Sequence, residues 1–491
     1  MNYPSHLPQI PEALWKYFHK INQIPRPSKH EDKMREFILK EAQFYHHPTV
    51  VDEVGNVIVY VKASPGYSEK PVVIIQNHMD MVTDHRPFKK INFYTDGIET
   101  QVVDDWMKAV DTTLGADNGI GCAAALALMS DPSISHPPLE LLFTIDEETG
   151  LKGAWGVDGS KLKGKLMLNL DTEEWGSFYI GCAGGIDYEF KTSFKNQKNQ
   201  DLNLKLKIEV TQFLGGHSGV DIHEQRGNAL KFLIDILFSG LEKKYQINEL
   251  RGGKAHNIIP RDASCVIMIP ESDKDYWTTL IEKIQSNWKS FLPKSDQDFK
   301  VQFIFETCSN SLGLSGEELK RVLNFLQAFP HGAHKYDLNS NRELVSLSNN
   351  FAICYVMNEQ VYLLSSLRFF DRKECISLEN QVKSLSVLAG FEMSHHGEYP
   401  SWKPVRENPL LDHCLNVYEK TFHQKPKVTA IHAGLECGIL REKIGRPIHA
   451  VSFGPTIMGA HSPDERVSIP TVASFWKLLK EILAQLPKES L

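Results

Sequence analysis

The sequence has no dense block of lysine and arginine, and its 491 residues carry a formal net charge of −7. Both features argue against a nucleic-acid partner. No apolar run approaches the ~20 residues that span a bilayer. Runs such as CAAALALM at 122–129 fall far short. The opening MNYPSHLPQIPEALWKYFHKI lacks a basic stretch followed by an apolar one, so no secretory leader is expected. Eight cysteines are scattered along the chain and none forms a CxxC pair. That spacing argues against a cysteine zinc site and fits reduced thiols. The expectation is a soluble, cytoplasmic protein with no membrane partner.

Hydrophobic residues make up 42% of the chain and charged residues 23%, as in ordinary globular proteins. The length exceeds what one core supports, so two domains are expected. PVVIIQ (71–76), LELLFTI (139–145) and KLMLNL (165–170) read as buried strands, and NGIGCAAALALM (118–129) reads as a closely packed helix. Residues 32–44 carry helical spacing. This alternation predicts an α/β domain with a mostly parallel sheet flanked by helices. From residue 186 the pattern changes to strands with one wet face, YEFKTSF (188–194) and LNLKLKIEV (202–210), joined by a polar turn at 195–201. A helix at 228–241 and a strand at 263–270 follow. Then come strands at 301–306, 343–356 and 361–370, with helices near 315–328 and 378–389. The α/β pattern returns with helices at 410–422 and 472–486 and a strand at 447–453. The predicted organisation is an α/β domain in two segments, 1–185 and 404–491, interrupted by a lid-like α+β domain of two halves at 186–403.

The acidic and imidazole residues fall where predicted strands end. His78 and Asp80 follow the first strand in NHMD, and Asp117 opens the helix. Glu147 and Glu148 follow the second strand in DEETG, Asp171 follows the third, and His461 lies after the 447–453 strand. Loops at strand ends are where a rigid scaffold presents chemistry. Imidazole and carboxylate together suit zinc, manganese or cobalt better than magnesium or calcium. One carboxylate can bridge two ions about 3.5–4 Å apart, and such a pair activates water near neutral pH. Asp80, two residues from His78, is placed to fix the imidazole tautomer. Of the adjacent Glu147 and Glu148, one can bind metal while the other acts as a general base.

NHMD, LGADNG, DEETG, NLDTEE and GAHSPDE, in this order, resemble the M20 metallopeptidases. IPRPS (24–28), GGHSG (215–219), KAHNIIP (254–260) and HAGLECG (432–438) extend the resemblance over nearly the whole chain. HAGLECG points to the dipeptidase branch and away from the amidohydrolases. The resemblance implies two divalent metal ions per subunit, zinc foremost, with cobalt or manganese as alternatives. It implies that His78 and Asp171 hold one ion, Glu148 and His461 the other, and that Asp117 bridges them. Asp80 would orient His78, and Glu147 would be the general base. His217 would polarise the scissile carbonyl. Asn257 and Arg368 would bind the substrate, its carboxylate included. The role of Glu436 stays open between support of the site and recognition of the substrate amine. The implied activity is hydrolysis of dipeptides, Xaa-His dipeptides such as carnosine included. A homodimer stays open.

Each residue also has a plainer reading. Asp117 alone could cap a helix, and the Glu pair could be a solvated surface. Asn257 could cap a turn before Pro260, and Arg368 could pair with Asp371 or Glu374. His85, His136, His223, His256, His395, His396 and His449 read as surface or core histidines. Three other functions compete. An N-acyl amino-acid deacylase would use the same metals without recognising a free amine. A silent binding protein would be expected to have lost Glu147 or a ligand. A two-metal phosphoesterase would need a phosphate cradle, and none is apparent near 78, 117 or 147.

Overall fold

The computed structural model describes residues 7–308, 312–338 and 344–488. The chain divides into two compact units. The first comprises Met1–Cys182, Trp402–Ala430 and Leu435–Leu491, and the second Ala183–Ser401 with Ile431–Gly434. The junctions fall within a few residues of the sequence boundaries, with one difference. The four residues Ile431–Gly434, inside the closing segment, pack with the second unit.

In the first unit an eight-stranded sheet runs in the order Thr49–Val51, Val57–Val61, Leu139–Thr144, Val73–His78, Leu166–Asn169, His449–Ser452, Ser177–Cys182 and Lys427–Ile431. Its four central strands, from Leu139–Thr144 to His449–Ser452, are parallel. The flanking pairs that include Val57–Val61 and Ser177–Cys182 are antiparallel. Leu139–Thr144, Val73–His78 and Leu166–Asn169 are buried along their whole length, which is why they read as unbroken apolar runs. The helix Ala116–Ser130 is buried from Asn118 to Met129. Its small residues permit close approach: a Cβ at Gly121 would lie 2.8 Å from the Leu170 carbonyl oxygen. Trp15, Phe18, Phe143, Phe178 and Phe475 fill the same core.

The second unit is built on a nine-stranded antiparallel sheet, from Lys300–Thr307 at one edge to Glu392–Tyr399 at the other. Its two halves meet where Gln246–Gly252 pairs with Val345–Met357 over only three residue pairs, Leu250–Gly252 with Cys354–Val356. Leu204–Thr211 alternates buried and half-buried positions, the one-wet-face pattern of its sequence. Segment 195–201 differs from expectation, because Gln197–Lys198 pairs with Leu312–Gly313 as a short ribbon. The helix Lys274–Phe291 and the strand Gln246–Gly252 have no counterpart in the sequence reading. The first residue of the strand expected at 343–356 lies outside the described residues. Among the described residues, no helix is long and apolar enough to cross a membrane.

Candidate metal centre

The C-terminal ends of the central parallel strands converge on one site. His78 is the last residue of its strand, Asp171 follows Asn169 by two residues, and Glu148 follows Thr144 by four. Asp117 sits in the first turn of Ala116–Ser130. It is not the helix cap, which is Gly115, and the Asp117–Asn118 peptide is cis. His78 Nε2 lies 2.9 Å from Asp117 Oδ1 and 3.2 Å from Asp171 Oδ1. His461 Nε2 lies 3.2 Å from Asp117 Oδ2 and 3.1 Å from Glu148 Oε2. The two oxygens of one carboxylate therefore face two separate imidazole–carboxylate pairs. The nitrogens and oxygens of His78, Asp117 and Asp171 form one cluster fit for a cation, and those of Asp117, Glu148 and His461 form a second.

The donor set fits a pair of divalent cations. Among the described residues, no lysine or arginine pairs with Asp117, Glu148 or Asp171, whose recorded ionic partners are imidazoles. Glu148 Oε1 is buried without a hydrogen-bond partner. Three carboxylates thus meet with too little positive charge, which is costly unless a cation or proton is shared among them. The titration shifts carry the same message. Burial opposes the imidazolium of His78, yet the charge of Asp171 and the hydrogen bonds of Asp117, Asp171 and Asp80 raise its pKa. Burial likewise opposes His461, and its bonds to Asp117 and Glu148 prevail. Burial and the Asp117 charge raise Glu148. Burial and the neighbouring Glu148 raise Glu147 well above the usual carboxylate range. Burial pushes Asp171 up to about 6, against the pull of His78.

Asp80 is fully buried and ties the loops together. Its Oδ1 lies 3.3 Å from His78 Nδ1 and accepts the Glu147 N–H at 3.1 Å. Its Oδ2 accepts the Glu148 N–H at 3.2 Å and the Ser28 hydroxyl at 2.7 Å. One carboxylate so lies beside the far nitrogen of the imidazole and accepts both N–H groups at the tip of DEETG. His461 and Asp146 hold left-handed backbone angles, with φ of 61° and 46°. Such angles cost a non-glycine residue of order 1 kcal/mol and cluster at functional sites.

Two further residues shape the site, and sequence reasoning missed their part. Arg26, 1% exposed, donates from Nη1 to the Met79 and Asp80 carbonyls at 3.0 and 2.7 Å, and from Nη2 to the Gly115 carbonyl at 2.5 Å. Gly115 has φ +68°, and a Cβ there would meet Arg26 and Met81. Glu465, 3% exposed, accepts the N–H groups of Leu114, Gly115 and Ala116 at 2.7, 2.9 and 2.8 Å. Their only sequence signal is their position inside IPRPS and GAHSPDE.

Glu436 is not exposed at all. Its Oε2 lies 2.5 Å from both Gln76 Nε2 and Thr144 Oγ1, inside the sheet. That favours support of the site over contact with a substrate amine. In the second unit His217 and Arg368 lie together. Arg368 is 5% exposed and bonds Ser218 Oγ at 3.2 Å and Tyr399 Oη at 3.0 Å, rather than Asp371 or Glu374. Its Nη2 lies 3.5 Å from His217 Nε2. His217 Nδ1 accepts the N–H groups of Gly219 and Val220 at 3.2 and 3.1 Å. A ring that accepts at Nδ1 carries its proton on Nε2. The Asn257 carbonyl accepts the Ser218 N–H at 2.8 Å, which ties the KAHNIIP turn to GGHSG. Of the seven histidines read as structural, His136 is buried against the Pro137 carbonyl and His256 pairs with Asp187 at 2.9 Å.

Residues 74–485 match the model of peptidase family M20/M25/M40. The chain is 33% identical over 487 residues to the cytosol non-specific dipeptidase of Escherichia coli (strain K12), covering 98% of this chain and 99% of that one. It is similar to the crystal structure of aminoacylhistidine dipeptidase from Vibrio alginolyticus, with 34% identity and a TM-score of 0.84 over 99% of this chain and 98% of that one. An aminopeptidase from Bacillus cereus shares the fold at 14% identity, with a TM-score of 0.56 over 98% of this chain and 100% of that one. Strands, ligand-bearing loops and relatives agree: this chain belongs to peptidase family M20/M25/M40.

Proposed function

We propose that the protein is a two-metal dipeptidase of the cytosol that accepts Xaa-His dipeptides, carnosine included. The observation that carries the reading is Asp117, whose two oxygens face His78 on one side and His461 on the other. In this reading His78 and Asp171 hold one ion, Glu148 and His461 the second, and Asp117 is shared. Bound there, two such ions, zinc foremost, would supply a water acidified towards pH ~7 and a Lewis acid for the carbonyl.

The rest falls to the protein's own side chains. Asp80 keeps the proton of His78 on Nδ1, which leaves Nε2 as the ligand atom. Glu147, whose carboxyl group burial and the neighbouring Glu148 hold well above the usual carboxylate range, takes a proton from the attacking water and passes it to the leaving amine. No covalent intermediate is required. The Nε2–H of His217 and the fork of Arg368 are two donors 3.5 Å apart, suited to an oxyanion or a carboxylate. With Asn257 they are the groups assigned here to the substrate. A preference for a C-terminal histidine is supported by likeness to the Vibrio alginolyticus enzyme.

Amine release is to be measured from carnosine, other dipeptides, tripeptides and N-acetyl amino acids. The protein is first stripped of metal, then supplied with zinc, manganese or cobalt. Metal-dependent cleavage of Xaa-His dipeptides with N-acyl compounds spared is the expected outcome. Cleavage of N-acyl compounds alone moves the assignment to a deacylase.

A further inference from the structure

Beneath the ligand-bearing strand ends, a chain of polar side chains crosses the sheet. Ser452 Oγ donates to Asn169 Oδ1. Asn169 Nδ2 donates to Gln76 Oε1 at 2.5 Å, and Gln76 Nε2 to Glu436 Oε2 at 2.5 Å. Thr144 Oγ1 lies 2.5 Å from Glu436 Oε2 and 3.1 Å from the Asn77 carbonyl oxygen. Thr144, Gln76, Asn169 and Ser452 sit on the four adjacent parallel strands, and each of these four residues is fully buried. Asn77 immediately precedes His78, and Asn169 stands two residues before Asp171.

Counting hydrogens gives the chain a direction. A threonine hydroxyl has one hydrogen to donate, and Thr144 has two oxygens within reach. With Glu436 ionised, that hydrogen must serve either the carboxylate or the Asn77 carbonyl, and one contact is left without a proton. Moreover, Glu436 Oε1 is buried without a partner, and an ionised carboxylate would hold half its charge there undonated, a severe cost. With Glu436 neutral, Oε2–H donates to Thr144 Oγ1 and the threonine hydrogen passes on to the Asn77 carbonyl. Every link from Ser452 to Asn77 then has one donor and one acceptor. The orphaned Oε1 becomes an uncharged carbonyl.

We propose that Glu436 is a protonated positioning residue, whose neutral carboxyl group completes a one-way hydrogen-bond chain holding the strand ends under His78, Glu148 and Asp171 in register. Burial agrees with this state, pushing the Glu436 carboxyl up to about 8. The site that the chain supports is the one proposed above, so the functional consequence rests on that reading. The protonation and the chain do not.

The test compares the protein with its Glu436→Gln and Glu436→Met variants. Glutamine keeps the shape but splits acceptor and donor between two atoms, where the hydroxyl oxygen of the neutral acid does both, and methionine keeps the size and loses both. Infrared difference spectra of metal-free wild type against each variant near neutral pH should show one carbonyl stretch of a neutral carboxylic acid lost on substitution. Both metal-free variants should melt below the wild type, because neither side chain can accept from Gln76 and donate to Thr144 at one atom. After cobalt loading, the visible absorption envelopes of both variants should depart from that of the wild type. No neutral-acid band lost on substitution, or a Glu436→Gln protein that melts with the wild type, would overturn the proposal. Failure of the dipeptidase reading shows separately, as wild-type protein without metal-dependent turnover.

Discussion

Glu465 holds the turn that leads into Asp117 by accepting three buried N–H groups at 2.7–2.9 Å. Replacing it with alanine leaves those groups without partners, at about 1–3 kcal/mol each. Water entering the vacated space recovers part of this, so about 3–5 kcal/mol of stability should be lost. Glutamine is no remedy here. Its amide turns a donor towards N–H groups that also donate, so Glu465→Gln should lose a large share of the same stability. The assay is urea unfolding of metal-free protein followed by tryptophan fluorescence, with metal affinity measured by chelator competition. Each 1.4 kcal/mol of misplacement at Asp117 costs about tenfold in affinity. A Glu465→Ala midpoint equal to wild type, or a Glu465→Gln protein as stable as wild type, would refute the reasoning.

Glu147→Ala should lower turnover by about 10²–10⁴-fold and leave metal stoichiometry unchanged; a variant with full turnover sinks the general-base role. Arg368→Lys, which replaces a planar fork by a point charge, should raise KM about tenfold or more for dipeptides with a free carboxylate. The effect should shrink on the corresponding amides, and equal effects on both count against carboxylate binding. His432 is held neutral by burial, with neighbouring Arg368 adding to the effect, and its pKa falls to about 3. The unfolded chain binds that proton near pH 6.5 while the folded one does not, so stability is full above 6.5 and drains as pH falls towards 3. At pH 5.5 the loss is about 1.4 kcal/mol. His432→Gln, which preserves a partner for Ser348 Oγ, should flatten the slope of urea midpoint against pH; an unchanged slope rejects the assignment.

The family and the α/β architecture are legible because fully buried parallel strands leave continuous apolar runs, and polar residues at their ends stand out. Asp117, Glu148, Asp171, His78 and His461 are recognisable as a set by chain order alone, and the fold draws their donor atoms together. The helix Lys274–Phe291 escapes notice because it buries only Trp277 and Ile281 fully. Its few buried residues stand among polar and charged ones, so no apolar run marks it. Gln246–Gly252 is hidden by its bulge and mixed burial. Arg26 and Glu465 act on backbone groups up to 89 and 351 residues away, and no local pattern encodes such a contact. Glu436 is visible as a motif residue, but its orientation into the sheet depends on Gln76 and Thr144, which no spacing rule links to it.

Arg26 has a further consequence. Its guanidinium stands amid an acidic cluster, yet its recorded bonds go to the carbonyls of Met79, Asp80 and Gly115, and none to a carboxylate. It therefore offsets negative charge without competing for the ligands. A receptacle stapled in this way should keep its shape without an ion, so that ions would exchange on an intact fold. Metal choice would then follow from supply and donor chemistry, not from which ion was present when the chain folded.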